Sequence, residues 1–138
     1  MQRFLDAQEP VYDDVLSELR SGRKSTHWMW FIFPQVAGLG HSGMSRFYAI
    51  SDAAEAAAYL SHAVLGPRLV ECCETLLALD GMSAKEIFGS PDDLKLKSSM
   101  TLFASASPAQ SIFARVLERY YGGSRDQKTL GILQANQP

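Results

Sequence analysis

The chain has 138 residues, 46% of them hydrophobic and 20% charged, with 13 Lys and Arg against 15 Asp and Glu. A chain of this length buries roughly 65 to 70% of its unfolded surface, so it builds a core without disulfide or metal staples, and disorder is excluded as the default. A formal charge of −2 argues against a protein made mainly to neutralise a nucleic-acid backbone or an anionic membrane, and leaves room only for a local basic patch.

The first ten residues, MQRFLDAQEP, lack the continuous apolar stretch of a secretory signal, and the longest strongly apolar run, residues 28–33, is far shorter than a membrane span. The sequence therefore reads as a soluble, cytoplasmic protein. Its two cysteines, Cys72 and Cys73, are adjacent, which suits neither an ordinary disulfide nor a zinc site. They read as small core or helix-surface residues, with one reactive thiol as the alternative.

In chain order, EPVYDDVLSELR (residues 9–20) places Pro10 in a first turn and spaces Val11, Tyr12, Val15, Leu16 and Leu19 along one helical face. Residues 28–33 are too uniformly apolar for periodicity to separate helix from buried strand. Residues 36–45, VAGLGHSGMS, read as a loop. Ser51 is expected to cap an Ala-rich helix ending near residues 60–62. A long helix follows from Leu65, with Leu69, Val70, Cys73, Leu76 and Leu77 on one side, and ends before Asp80 and Gly81. Ser83 and Glu86 form a capping-box pair before Phe88 and Gly89. Ser90, Pro91, Asp92 and Asp93 announce the helix of Leu96, Met100 and Phe103. Ser107 and Pro108 repeat the device for a helix ended by Gly122 and Gly123, and Asp126 is suited to cap a last one. Six or seven helices with short connections predict an all-α fold, a single domain over residues 1–138, with strand conceivable only at residues 28–33 and 47–50.

Two segments carry the candidate chemistry. HWMWFIFPQ (residues 27–35) holds both tryptophans within three residues. Either the rings are simply core, or Trp28 and Trp30 form an apolar wall for stacking a planar ligand beside Gln35. His27 is a candidate general base, or else a solvated or capping residue. In GSPDDLKLKSSM (residues 89–100), Asp92, Lys95 and Ser99 share one helical face. Asp92 and Asp93 are acid or base candidates or simple helix-terminus carboxylates. Ser98 and Ser99 lie mid-helix, where serine lowers helix propensity, which suggests close packing or a site. Together the segments outline a cleft with His27, Asp92 and Asp93 as acid or base, Trp28 and Trp30 stacking, Gln35, Ser98 and Ser99 hydrogen-bonding, and Arg68 or Lys95 holding an anionic group.

The glycine-rich GLGHSG (residues 38–43) has neither the Lys-Ser/Thr of a P-loop nor the strand and helix of a dinucleotide fold around it. A nucleophile elbow is absent, and His27, His41 and His62 have no ligand spacing, so no metal site is expected. No cofactor is specified.

The strings HWMWFIFPQ, LGHS, AYLSHAVLGPRL, FGSPDDLKLKSSMTLF and GGSRDQKTL together resemble the domain of unknown function 1810 family across nearly the whole chain. The resemblance implies a mainly α-helical cytosolic protein and no activity that can be carried over. The label calpastatin sometimes attached to that family does not fit a compact apolar chain. In outline, the Ala-rich helix, the turn at Leu65, Gly66 and Arg68, and the Leu- and Lys-bearing helix are also similar to NADAR-like proteins. That similarity implies a nucleotide-like N-glycoside as ligand or as the substrate of hydrolysis, in which a carboxylate steadies an oxocarbenium-like centre or activates water. The alternative is a non-enzymatic binding or protein-interaction module.

Overall fold

The structure, a computed structural model, describes residues 1–136. Ten helices follow one another: α1 (Gln2–Gln8), α2 (Tyr12–Arg20), α3 (Met29–Ile32), α4 (Gly43–Phe47), α5 (Ala53–Ser61), α6 (Leu65–Leu77), α7 (Ala84–Phe88), α8 (Asp92–Ser105), α9 (Ile112–Tyr121) and α10 (Gln127–Ala135). Seven of them have seven residues or more, so the all-α expectation holds. Among the described residues the sole β feature is a parallel bridge between Val36 and Ile50. No described helix is long and apolar enough to cross a membrane.

The centre is α8. Eight of its fourteen residues are buried, because α5, α7, α9 and α10 all pack against it. A helix enclosed on most sides has no solvent face on which to sort its polar residues. Ser98, Ser99 and Thr101 are therefore interior, where a hydroxyl is ordinarily hydrogen-bonded. α6 lies against α2, α5 and α9. One apolar cluster runs from Phe4 to Leu133 and includes Trp28, Phe33, Tyr59, Cys72, Cys73 and Phe103.

Several local signals are realised as spelled. Ser83 and Glu86 form both bonds of the capping box, at 3.1 and 2.9 Å, and Gly122 ends α9 in the left-handed region at φ 61°. Others shift. Pro10 lies in the turn after α1 rather than inside α2. Asp52, not Ser51, caps α5 by accepting from the Glu55 N–H at 2.8 Å. Ser111, not Ser107, caps α9, and residues 107–110 form the turn before it. The segment read as a loop at residues 36–45 already contains the start of α4, capped by Ser42. Residues 28–33 hold a single helical turn, α3, with every residue apolar and all but Trp30 buried, which is why periodicity could not assign it.

Candidate functional site

Trp28 is core. It is 1% exposed, packs beside Phe33 and Phe88, and donates its indole N–H to Glu18 at 3.0 Å. Glu18 also accepts from the Ser25 and Thr26 N–H groups and the Thr26 hydroxyl. Burial pushes this carboxyl up, but those four hydrogen bonds outweigh it and hold Glu18 below its ordinary value.

Trp30 is half-buried, with the Lys95 ammonium 5.5 Å from its ring centroid. The two candidate segments do meet here. Asp92 takes Lys24 on one oxygen at 3.0 Å and Lys95 on the other at 3.6 Å, while Lys24 also donates to the Thr26 carbonyl at 2.6 Å, beside the exposed His27. Ion pairs bridge this contact, and both Asp92 oxygens have cationic partners. Asp93 accepts the Tyr121 hydroxyl through its carbonyl, and its Oδ1 is buried without a partner among the described residues. Ser99 is fully buried, and its hydroxyl likewise has no partner among them.

Arg68 is elsewhere. On α6 it pairs with Glu9 at 2.9 Å, lies 3.5 Å from Gln8 Oε1, and covers the Tyr12 ring at 4.8 Å. It ties α6 to the junction of α1 and α2. Cys72 and Cys73 are both free and buried. Burial pushes the Cys72 thiol up to about 12 and raises Cys73 as well, so neither is a ready nucleophile. Among the described residues no three His, Cys, Asp or Glu side chains gather as a metal ion would require.

The open space lies on the opposite flank of the SPDDLKLKSS helix. A cleft of about 510 Å³ is lined by Gln35 and Leu39 on one side, Leu94, Lys97 and Ser98 of α8 on another, and residues 124–128 at the start of α10. Gln35 and Ser98 thus line one cleft, and the tryptophans are not among its lining residues.

Asp126 organises this cleft. Its backbone N–H donates to Thr101 Oγ1 at 2.9 Å. Its Oδ2 accepts from the Ser98 hydroxyl at 3.0 Å, from the Thr129 N–H at 3.2 Å and from the Thr129 hydroxyl. The mid-helix serine and threonine of α8 therefore exist to receive the cap of α10, which explains why α8 tolerates them. Oδ1 of Asp126 has no hydrogen bond among the described residues and is not buried without a partner. Lys97, Arg125 and Lys128 line the same cleft, and none of them forms an ion pair among the described residues. Three cations against one carboxylate make this a positive hollow on a chain whose net charge is −2. These cations are missed by a reading of local spacing. The one hint is the SRDQK string, where charge crowds a helix start.

Comparison with known proteins places the chain. It is similar to the conserved hypothetical protein Rv1873 from Mycobacterium tuberculosis, whose crystal structure superposes with a TM-score of 0.94 at 54% sequence identity, covering 96% of this chain and 95% of that one. No curated protein matches it. The family described as "Protein of unknown function (DUF1810)" matches residues 1–133, and with all but the last residues of the fold covered the chain belongs to that family.

Proposed function

We propose that this chain binds a phosphorylated, nucleotide-like small molecule in the cleft between the segment at Gln35 and Leu39, the first turns of α8 and the start of α10. The observation that carries the reading is that Lys97, Arg125 and Lys128, free of carboxylate partners among the described residues, line one cleft together with Asp126. Uncompensated cations around a concave surface concentrate the field and draw in anions. Arg125 supplies the fork that matches phosphate oxygens, and the two lysines supply point charges. Asp126 is oriented by three donors on Oδ2, so Oδ1 is a fixed acceptor for a sugar hydroxyl. The Gln35 amide and Ser124 hydroxyl add neutral partners, and Leu39 and Leu94 an apolar wall.

The same unengaged oxygen gives a second reading, hydrolysis of an N-glycoside. A carboxylate locked in orientation beside the sugar activates water or steadies an oxocarbenium-like centre. Asp126 suits that role better than Asp92, whose two oxygens are taken by Lys24 and Lys95.

A thermal-shift screen tests binding, because a ligand that binds only the native state raises its stability. Phosphorylated nucleotides and ADP-ribose are expected to raise Tm, their unphosphorylated nucleosides far less, and Arg125→Gln to abolish the shift while leaving the unliganded Tm unchanged. Absence of any shift with phosphorylated compounds would sink the reading. If turnover of an N-glycoside is found, Asp126→Asn, which retains a capping side chain, is expected to remove the rate and keep binding.

A further inference from the structure

The positive cleft continues past Lys128. A second depression of about 380 Å³ adjoins it and shares Leu39 and Lys128 with it. Its character is different, because Gly38, Gly131, Ile132 and Ala135 predominate in its lining, with His41 and Lys128 as the polar members. The loop bearing Gly38 runs close along α10: a Cβ built on Gly38 would come within 3.5 Å of Ile132 Cδ1.

Gly131 is the fifth of nine residues in α10. Glycine there weakens the helix relative to alanine, and neither of its usual reasons applies. Its φ is not positive, and a Cβ on it would meet nothing within 4 Å. Gly66 shows the contrast, since a Cβ there would lie 2.1 Å from the Leu60 carbonyl oxygen. What a side chain at position 131 would change is the depression that Gly131 lines. A local preference broken without a packing reason points to function.

We infer that Gly131 keeps open a second subsite, and that the groove takes a two-part ligand, with its phosphate on Lys97, Arg125 and Lys128 and a flat, base-like ring laid over Gly131 between Leu39 and Ile132. This rests on the anion-binding reading of the first cleft. Open space over the Gly131 backbone, in a depression also lined by the aliphatic Leu39 and Ile132 and by the polar His41 and Lys128, suits a planar ring. Gly131 is then a specificity-determining residue, which admits the ring without touching the phosphate.

Isothermal titration with ADP-ribose and with ribose 5-phosphate, which carries phosphate but no base, separates the two claims. ADP-ribose is expected to bind the wild-type protein about tenfold tighter than ribose 5-phosphate. Gly131→Leu should erase that advantage and leave ribose 5-phosphate affinity unchanged, and Arg125→Gln should weaken both probes. Gly131→Ala adds a single methyl, improves helix propensity, and should lower ADP-ribose affinity about threefold while raising Tm. Equal affinities of the two probes for the wild type, or ADP-ribose affinity untouched by both Gly131 substitutions, would overturn the second subsite and leave the anion site standing. If neither probe binds at millimolar concentration, the anion site falls and the second subsite with it.

Discussion

A buried indole sets the first constraint at the level of single residues. Trp28 is the bulkiest fully buried side chain of the domain, and its N–H depends on Glu18, which also closes the turn at Ser25 and Thr26. Glu18→Ala would strand that donor in the core and release the turn, at an expected cost of about 2 to 3 kcal/mol in urea unfolding. The charge adds a pH dependence of definite sign. Because the folded protein holds Glu18 below its ordinary value of 4.5, its contribution is present above that value and is lost as pH falls through the lowered folded one. The stability gap between wild type and Glu18→Ala should therefore be widest near neutral pH and narrow in acid below about pH 4.5. A gap independent of pH would show that packing, and not the carboxylate, holds the turn.

Between elements, the junction of α5 and α6 gives a test in which two effects oppose each other. Gly66 is the second residue of α6, where alanine improves helix propensity by about 1 kcal/mol. A Cβ there would sit 2.1 Å from the Leu60 carbonyl oxygen, and backbone cannot swing aside as a flexible side chain does. The clash wins, so Gly66→Ala is expected to destabilise by about 1 to 3 kcal/mol, read from the shift of the denaturation midpoint. A stabilised variant would mean that α6 is free to slide away from α5. Elements with their own caps were legible in the sequence: the pair of Ser83 and Glu86, the Asp126 cap and the Gly122 stop are local devices that need no partner. α1 escaped notice because no capping side chain marks its start. The cap of α9 fell at Ser111 because Ser107 and Pro108 give the same local signal one turn too early. α3 was ambiguous because a run of apolar residues, all but Trp30 buried, lacks the polar face that periodicity needs.

For the molecule as a whole, the candidate site was legible only in part, for a reason of distance along the chain. The aromatic and Asp-Lys segments read as the two walls of one cleft without any local signal that they touch; in the structure they come into contact through Lys24, Asp92, Lys95 and Trp30, with ion pairs at the contact. The cleft instead draws on residues as far apart as Gln35 and Lys128, and no local spacing links them. The mid-helix serines were the usable trace, since Ser98 reaches Asp126 across 28 positions. That long-range bond also bears on how the protein unfolds. α10 is tied to α8 through Ser98, Thr101 and Asp126. At the other end, α1 is tied inward by Gln8, which donates to the Phe31 carbonyl at 2.7 Å and the Tyr59 hydroxyl at 3.1 Å. Tyr59 stands in a chain of rings with Phe103 and Phe113, inside a cluster that spans Phe4 to Leu133. No described terminal helix has a core of its own, so loss of either end opens the same packing. Urea unfolding followed by near-ultraviolet circular dichroism, which reports these rings, and by far-ultraviolet circular dichroism, which reports the helices, should give one coincident transition. Helical signal lost at lower urea than the aromatic signal would instead show that α1 or α10 detaches as a separate unit.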